Sequence, residues 1–246
     1  MYVSDFDSGV IYEYEKNGAK CTFASGLGGP EGIVFDKSGN MFVVDRGDGV
    51  IHEFQVTGTQ TVFASGLFAP QFAAFDQAGN LFVSDSAPGN VYEFAPDGSR
   101  KTFATGLDGP SGLAADAYGN LFVAVSGANQ ILKYRHERTK VVFASGLDFP
   151  TAIVLDRRNH LFVADNASQN IYEFLPNGDR QLYFGGTSGN PESLSLVSGN
   201  ILFMGSQNGG IFYYLSGQQV KFDQLEIANI PTVRFGPYFS PKSCSG

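Results

Sequence analysis

The chain has no tryptophan, only two cysteines and three histidines, and nowhere reaches 18 consecutive apolar residues. Each shortage closes off a class of protein. Two cysteines, Cys21 and Cys244, are too few for a disulfide scaffold. Without a long apolar run no helix can span a bilayer, so no membrane partner is expected. Basic residues are also scarce: 16 Lys and Arg stand against 24 Asp and Glu, for a net charge of −8, and they form no run. Nucleic-acid affinity comes largely from Lys and Arg neutralising phosphates, so this balance argues against a nucleic-acid partner. The opening Met1-Tyr2-Val3-Ser4-Asp5 already reads as a strand and lacks the charged-then-apolar order of a signal peptide. A leader removed upstream would leave the same start, and a secreted or periplasmic location is the expectation.

What is abundant is glycine (31) and phenylalanine (23), in a chain that is 43% hydrophobic and 16% charged. Glycine at this level suits many turns, and aromatic plus β-branched residues between turns suit strands. The turns recur. Pro30, Pro70, Pro110 and Pro150 fall 40 apart, followed by Pro191 and Pro231. Gly26-Leu27, Gly66-Leu67, Gly106-Leu107 and Gly146-Leu147 keep the same step, as do Gly39-Asn40, Gly79-Asn80 and Gly119-Asn120. The strand Val91–Phe94 returns as Ile11–Tyr14, Ile51–Phe54 and Ile171–Phe174.

Each unit reads as four short strands. In the second copy these are a (Gly32–Phe35), b (Met41–Val44), c (Val50–Phe54) and d (Thr61–Ala64). Asp97-Gly98 and Asn177-Gly178 in the c–d turns are strong hairpin signals. A period near 40 with four strands per unit selects an all-β fold, the β-propeller. The ends fix the number of blades at six. Residues 1–24 supply strands b, c and d of a blade that lacks its a strand, and residues 231–236 supply an a strand with nothing after it. The expectation is one six-bladed propeller over residues 1–246, monomeric, with blade one composite and four antiparallel strands per blade. Closing the ring in this way removes an exposed sheet edge. Cys21 and Cys244 both fall on or just beyond that composite blade, and either a bridge between them or two free thiols fits their placement.

Pro30-Glu31-Gly32, the run Asp116-Ala117-Tyr118-Gly119-Asn120-Leu121-Phe122-Val123 and the Ile171-Tyr172-Glu173-Phe174 strand together resemble the NHL-repeat propellers. The pattern is also similar to the gluconolactonase and senescence-marker-protein group and to the virginiamycin B lyase group. These families share a scaffold and differ at its centre, so the resemblance implies the fold more than the activity.

Agreement among the copies serves packing that every blade repeats, whereas departures mark where a site could lie. The residue after each repeat proline begins the innermost strand, which puts Glu31, Gln71, Ser111, Thr151, Glu192 and Thr232 in a ring at the channel mouth. The gluconolactonase resemblance implies a divalent cation there, Ca²⁺ or Mg²⁺, with Glu31 and Glu192 as acidic ligands. That family's amide ligands fall on Ser111 and Thr151, and hydroxyls are poorer ligands for such ions. The alternative is a hydrated channel lined by short polar groups.

Asp5, Asp45, Asp85 and Asp165 close strand b in four copies, with Val125 and Gly205 in the other two. Being repeated, they read as acceptors for backbone N–H groups of the neighbouring loop. Asp36, Asp76, Asp116 and Asp156 head the a–b turns at the opposite face and read as turn residues. His52, His136 and His160 occupy different repeat positions and cannot converge, which speaks against a lyase that uses channel histidines. The b–c loops (Phe6-Asp7, Arg46–Asp48, Ser86–Pro88, Ser126–Asn129, Asn166–Gln169), with Phe68, Phe72 and Phe149, complete a surface suited to a protein, peptide or small-molecule ligand. The leading expectation is therefore a binding or interaction module. A metal-dependent hydrolase or lactonase is the alternative, and a portion of a longer secreted protein is a third reading.

Overall fold

A computed structural model describes residues 1–15, 19–187, 189–197, 201–206, 210–215, 218–221 and 232–234. Each repeat folds as a four-stranded antiparallel sheet. Blade one begins with β1 (Tyr2–Asp5), β2 (Val10–Tyr14) and β3 (Lys20–Ala24). Blade two is β4 (Pro30–Phe35), β5 (Met41–Asp45), β6 (Val50–Phe54) and β7 (Gln60–Ala64). Blade three is β8 (Pro70–Phe75), β9 (Leu81–Asp85), β10 (Asn90–Phe94) and β11 (Arg100–Ala104). Blade four is β12 (Pro110–Ala115), β13 (Leu121–Val125), β14 (Gln130–Tyr134) and β15 (Lys140–Ser145). Blade five is β16 (Pro150–Leu155), β17 (Leu161–Asp165), β18 (Asn170–Phe174) and β19 (Arg180–Gly185). Blade six is β20 (Pro191–Val197), β21 (Ile201–Ser206), β22 (Ile211–Leu215) and β23 (Gln218–Lys221).

The last strand, β24 (Thr232–Arg234), completes blade one. It runs antiparallel to β1 with Tyr2 opposite Arg234, Val3 opposite Val233 and Ser4 opposite Thr232. Through β24 the inner strands close a ring: β24 touches β4, then β8, β12, β16 and β20 follow, and β20 touches β24 again. Sequence reasoning put this strand at 231–236, and positions 231, 235 and 236 lie outside the described residues.

Burial changes across each blade in a way the residues explain. The second strands β5, β9, β13 and β17 are buried at every position. A blade interior is covered on both sides by its neighbours, so these strands read as continuous apolar runs rather than alternating ones. Within each of blades two to five an aromatic pair makes the same edge-to-face contact from the second strand to the fourth. Phe42–Phe63, Phe82–Phe103, Phe122–Phe143 and Phe162–Tyr183 lie 5.0 to 5.1 Å apart, ring centre to ring centre. Such pairs add about 0.5–1.5 kcal/mol beyond their area burial. The fourth strands are edges. They expose Lys20, Arg100, Lys101, Lys140 and Arg180, and charges there discourage pairing with another chain.

The inner strands carry the one irregularity that matters for function. In β4, Pro30 pairs with Asp45 and Ile33 with Val43, so Glu31 and Gly32 together face the single residue Val44. The same bulge follows Pro70, Pro110 and Pro150. In β20 it follows Pro191, where Glu192 is the extra residue. Proline has no N–H to lose from the ladder, and a bulge re-aims the side chain it carries. Gly32 leaves room for the neighbouring blade: a Cβ on it would lie 2.8 Å from the Gln71 carbonyl oxygen of the next inner strand.

Candidate functional site

The five bulges bring Glu31, Gln71, Ser111, Thr151 and Glu192 to the wall of one central cavity of about 420 Å³. The sixth ring position, Thr232, has its backbone in β24 and its side chain outside the described residues. The b–c loops add Phe6, Arg46, Ser86, Ser126 and Gly127, and the d–a segments add Asp108, Gly109 and Phe149, with Phe72 beside Gln71. The far-face turns that begin with Asp36, Asp76 and Asp116 line different clefts.

Ring side chains and their neighbours also tie the blades together. The Thr151 hydroxyl donates to the Pro191 carbonyl at 2.9 Å, Ser126 to the Pro150 carbonyl at 2.6 Å, and Ser4 to the Glu31 carbonyl at 2.8 Å. Each bond crosses from one blade to the next. The Thr151 and Ser126 hydroxyls of the cavity wall are therefore already donors to the scaffold.

The two glutamates are treated differently. Glu31 is 7% exposed, and its Oε1 accepts from Arg46 Nη1 at 2.8 Å. Burial pushes the Glu31 carboxyl above its ordinary value, and the Arg46 guanidinium offsets only part of that. Glu192 accepts from Asn166 Nδ2 at 2.9 Å and has no cation within ion-pair distance among the described residues. Burial first, and the nearby Glu31 charge second, push Glu192 up to about 7, with the Asn166 amide acting in the opposite direction. Of the two glutamates, one is thus paired with a guanidinium and the other is half-protonated near neutral pH.

A divalent ion, which the resemblance implies for this ring, fits poorly. Arg46 occupies the cation position beside Glu31, and a second positive charge there would meet it at close range. The hydroxyls of Ser111 and Thr151 stand where amide oxygens would be stronger ligands, and Thr151 already donates to Pro191. Among the described residues one other group has ligand-like spacing, Asp45, Asp48 and His52, with candidate atoms within 4.8 Å. There Asp45 Oδ2 accepts from the Gly28 N–H at 2.8 Å and lies 3.3 Å from His52 Nε2. Burial raises the Asp45 pKa, but hydrogen bonds from His52, Gly28 and Asp48 outweigh it and hold the carboxyl below its ordinary value.

That arrangement is one instance of a repeated device. Asp85 accepts from Phe68 N–H at 3.0 Å and Ala69 N–H at 2.7 Å, and Asp165 accepts from Asp148 N–H at 2.7 Å and Ser168 Oγ at 2.7 Å. Asp5 accepts from Ser8 N–H at 3.2 Å. These four residues hold backbone loops, as their recurrence implied. At the far face Asp36, Asp76, Asp116 and Asp156 each accept from the N–H groups two and four residues on, at 2.8 to 2.9 Å. None of the three histidines lines the central cavity: His136 borders a far-face cleft, and His160 Nδ1 sits 2.6 Å from Glu173 Oε1. Cys21 is disulfide-bonded, and Cys244, the other cysteine of the sequence, lies outside the described residues.

Two features escaped the sequence reading. The Arg46–Glu31 pair joins residues 15 apart and depends on the bulge that aims Glu31. Asp108, a third carboxylate on the cavity wall, was overlooked; its repeat position holds Gly28 and Phe68 in the preceding copies and Asp148 in the next. Its place two residues before the repeat proline, in a segment leading into the ring, was the signal that could have found it.

No protein-family model matches the chain, and no curated protein matches it in sequence. Solved structures do resemble it. A structure provisionally described as a gluconolactonase aligns with a TM-score of 0.78 at 12% identity, over 96% of this chain and 91% of that one. A gluconolactonase from Xanthomonas campestris gives 0.75 at 17% identity, over 83% and 78%. A catalytically inactive histidine-to-alanine variant of virginiamycin B lyase from Staphylococcus aureus, crystallised with quinupristin, gives 0.75 at 12% identity, over 93% and 82%. At these identities the likeness carries the fold, and the chain is a six-bladed β-propeller of the architecture found in gluconolactonase-like proteins and virginiamycin B lyase.

Proposed function

We propose that this propeller is a binding module that takes a small polar molecule into its central cavity. The observation that carries the reading is the convergence of five polar ring residues, of four kinds, on one cavity of about 420 Å³. That volume is in the range of small-molecule sites, which combine apolar walls with a few directed polar groups. Here Phe6, Phe72 and Phe149 form the apolar part, while Gln71, Arg46 and the two glutamates supply direction. A peptide or protein partner would instead engage the rim, where Phe68 is 80% exposed and Phe149 50%. The test is a Gln71→Trp variant, which fills the cavity from a half-buried position. Small molecules retained by the native protein, detected by mass spectrometry after denaturation, should be lost from the variant while its melting temperature holds. Equal retention by both proteins would retire the cavity as the site.

A second reading is suggested by the neighbours named as gluconolactonases: hydrolysis of a lactone or ester. The observation in its favour is the Glu192 carboxyl at about 7, where it exchanges a proton with water at neutral pH. Lactone turnover that survives chelation and disappears in Glu192→Gln supports this reading. Absence of turnover across a lactone panel removes it.

A further inference from the structure

We infer that the ligand of the central cavity is an organic cation, an ammonium or guanidinium group on an apolar body, bound with its charge against Glu192 and its carbon skeleton on Phe6, Phe72 and Phe149. This rests on the ligand-binding reading above. Among the described residues three carboxylates line the cavity, Glu31, Glu192 and Asp108, against one guanidinium, Arg46, which is committed to Glu31. Asp108 is exposed and keeps its water, whereas Glu192 is largely desolvated and, among the described residues, has the Asn166 amide alone to replace its water. A carboxylate taken out of water without a counter-charge is unstable, and a cation supplied from outside removes that penalty. A neutral ligand brings no such gain, and an anion meets three like charges.

The apolar wall sets the rest of the ligand. A bare ion would leave the accessible rings of Phe6 and Phe149 unused, with Phe72 contributing only the edge it shows beside the core, whereas an aryl- or alkylamine buries its carbon against this wall and gains cation–π attraction of about 0.5–2 kcal/mol. Other charges on the packed elements are few. The inner neighbour β16 carries none, and β17 carries Asp165, which is turned to Ser168 and the Asp148 N–H. Blade two brings Glu31 and Arg46. The strand β24 bears one charge, Arg234, two residues beyond Thr232.

Calorimetric titration of the full chain with phenethylamine, its isosteric alcohol 2-phenylethanol analogue and phenylacetate, at pH 5.5 and 8.0, tests the inference. The amine should bind at pH 8.0 at least tenfold more tightly than the alcohol or the carboxylate. Because Glu192 titrates near 7, amine affinity should fall about 10- to 30-fold at pH 5.5. Glu192→Gln, checked for an intact melting transition, should lose both the affinity and the pH dependence. Alcohol or carboxylate binding as tightly as the amine would overturn the cation while leaving the cavity as a binding site. No binding of any of the three overturns it too, and the retention experiment on Gln71→Trp then decides separately whether the cavity binds anything.

Discussion

The two mouths of the propeller use acidic residues in opposite ways. At the far face, Asp36, Asp76, Asp116 and Asp156 repeat blade by blade, and each carboxylate is filled by N–H donors of its own turn. At the channel mouth, Glu31 and Glu192 appear in two blades only, at a position where the others carry Gln, Ser or Thr. Their environments also differ from each other: among the described residues one has a guanidinium and the other an amide alone. Acids that recur and are saturated stabilise the turns of a blade. An acid that does not recur in every blade, is desolvated and is left short of a counter-charge is not explained by the packing of a blade, and such a cost is what a binding site carries.

The largest effect comes from breaking the ring that holds the two mouths apart. Deleting residues 230–246 removes β24 and leaves β1 and the inner strands of blades two and six without their partner. Cooperative thermal unfolding should be lost, with aggregation; an unchanged melting curve would show that β24 is dispensable. Next comes the repeated class. Asp85→Ala strips two backbone N–H groups of their acceptor and should lower stability by about 3–4 kcal/mol in urea unfolding. A loss below about 1 kcal/mol would mean that the scaffold does not depend on these carboxylates.

Glu192 should behave the other way. Its pKa in the folded protein lies above its ordinary 4.5, at about 7, so the folded state holds the proton more tightly. Its stabilising contribution is then complete below pH 4.5 and is lost as the pH rises through about 7. Glu31, also raised, acts in the same direction. Glu192→Gln should therefore be more stable than the native protein at pH 8 by on the order of 2–3 kcal/mol, and equal to it at pH 4.5. Destabilisation at pH 8 would place Glu192 with the structural acids. The smallest effect sharpens the far face. Asn159 adopts φ 61° where the equivalent Gly39, Gly79 and Gly119 also have positive φ. Asn159→Gly should be neutral to stabilising, by about 0.5 kcal/mol, since the left-handed conformation is open to glycine without strain.

The six blades, their strands and the composite closure could be read from the sequence because they repeat. Each Gly-Asn turn and each Ile-Tyr-Glu-Phe strand carries the same local chemistry, and five near-copies average out the ambiguity of any one. Strand ends were placed less well for a physical reason. The inner strands start at the proline, two residues earlier than the pattern Gly32–Phe35 indicated, because a bulge interrupts the alternation on which that boundary rested. The composition of the channel ring was legible as a departure from the repeat. Its electrostatics were not. That Arg46 reaches Glu31, that Asn166 reaches Glu192 and that Asp108 shares the wall all depend on loops crossing from separate blades, and no spacing in the sequence encodes those distances.

The most direct test is the carboxyl titration of the protein followed by carbon NMR with ¹³C-labelled glutamate. One glutamate should titrate near pH 7, and its signal should vanish in Glu192→Gln and move on addition of phenethylamine. A spectrum in which every glutamate titrates close to its ordinary 4.5 would contradict the desolvated, uncompensated carboxylate on which the site is built.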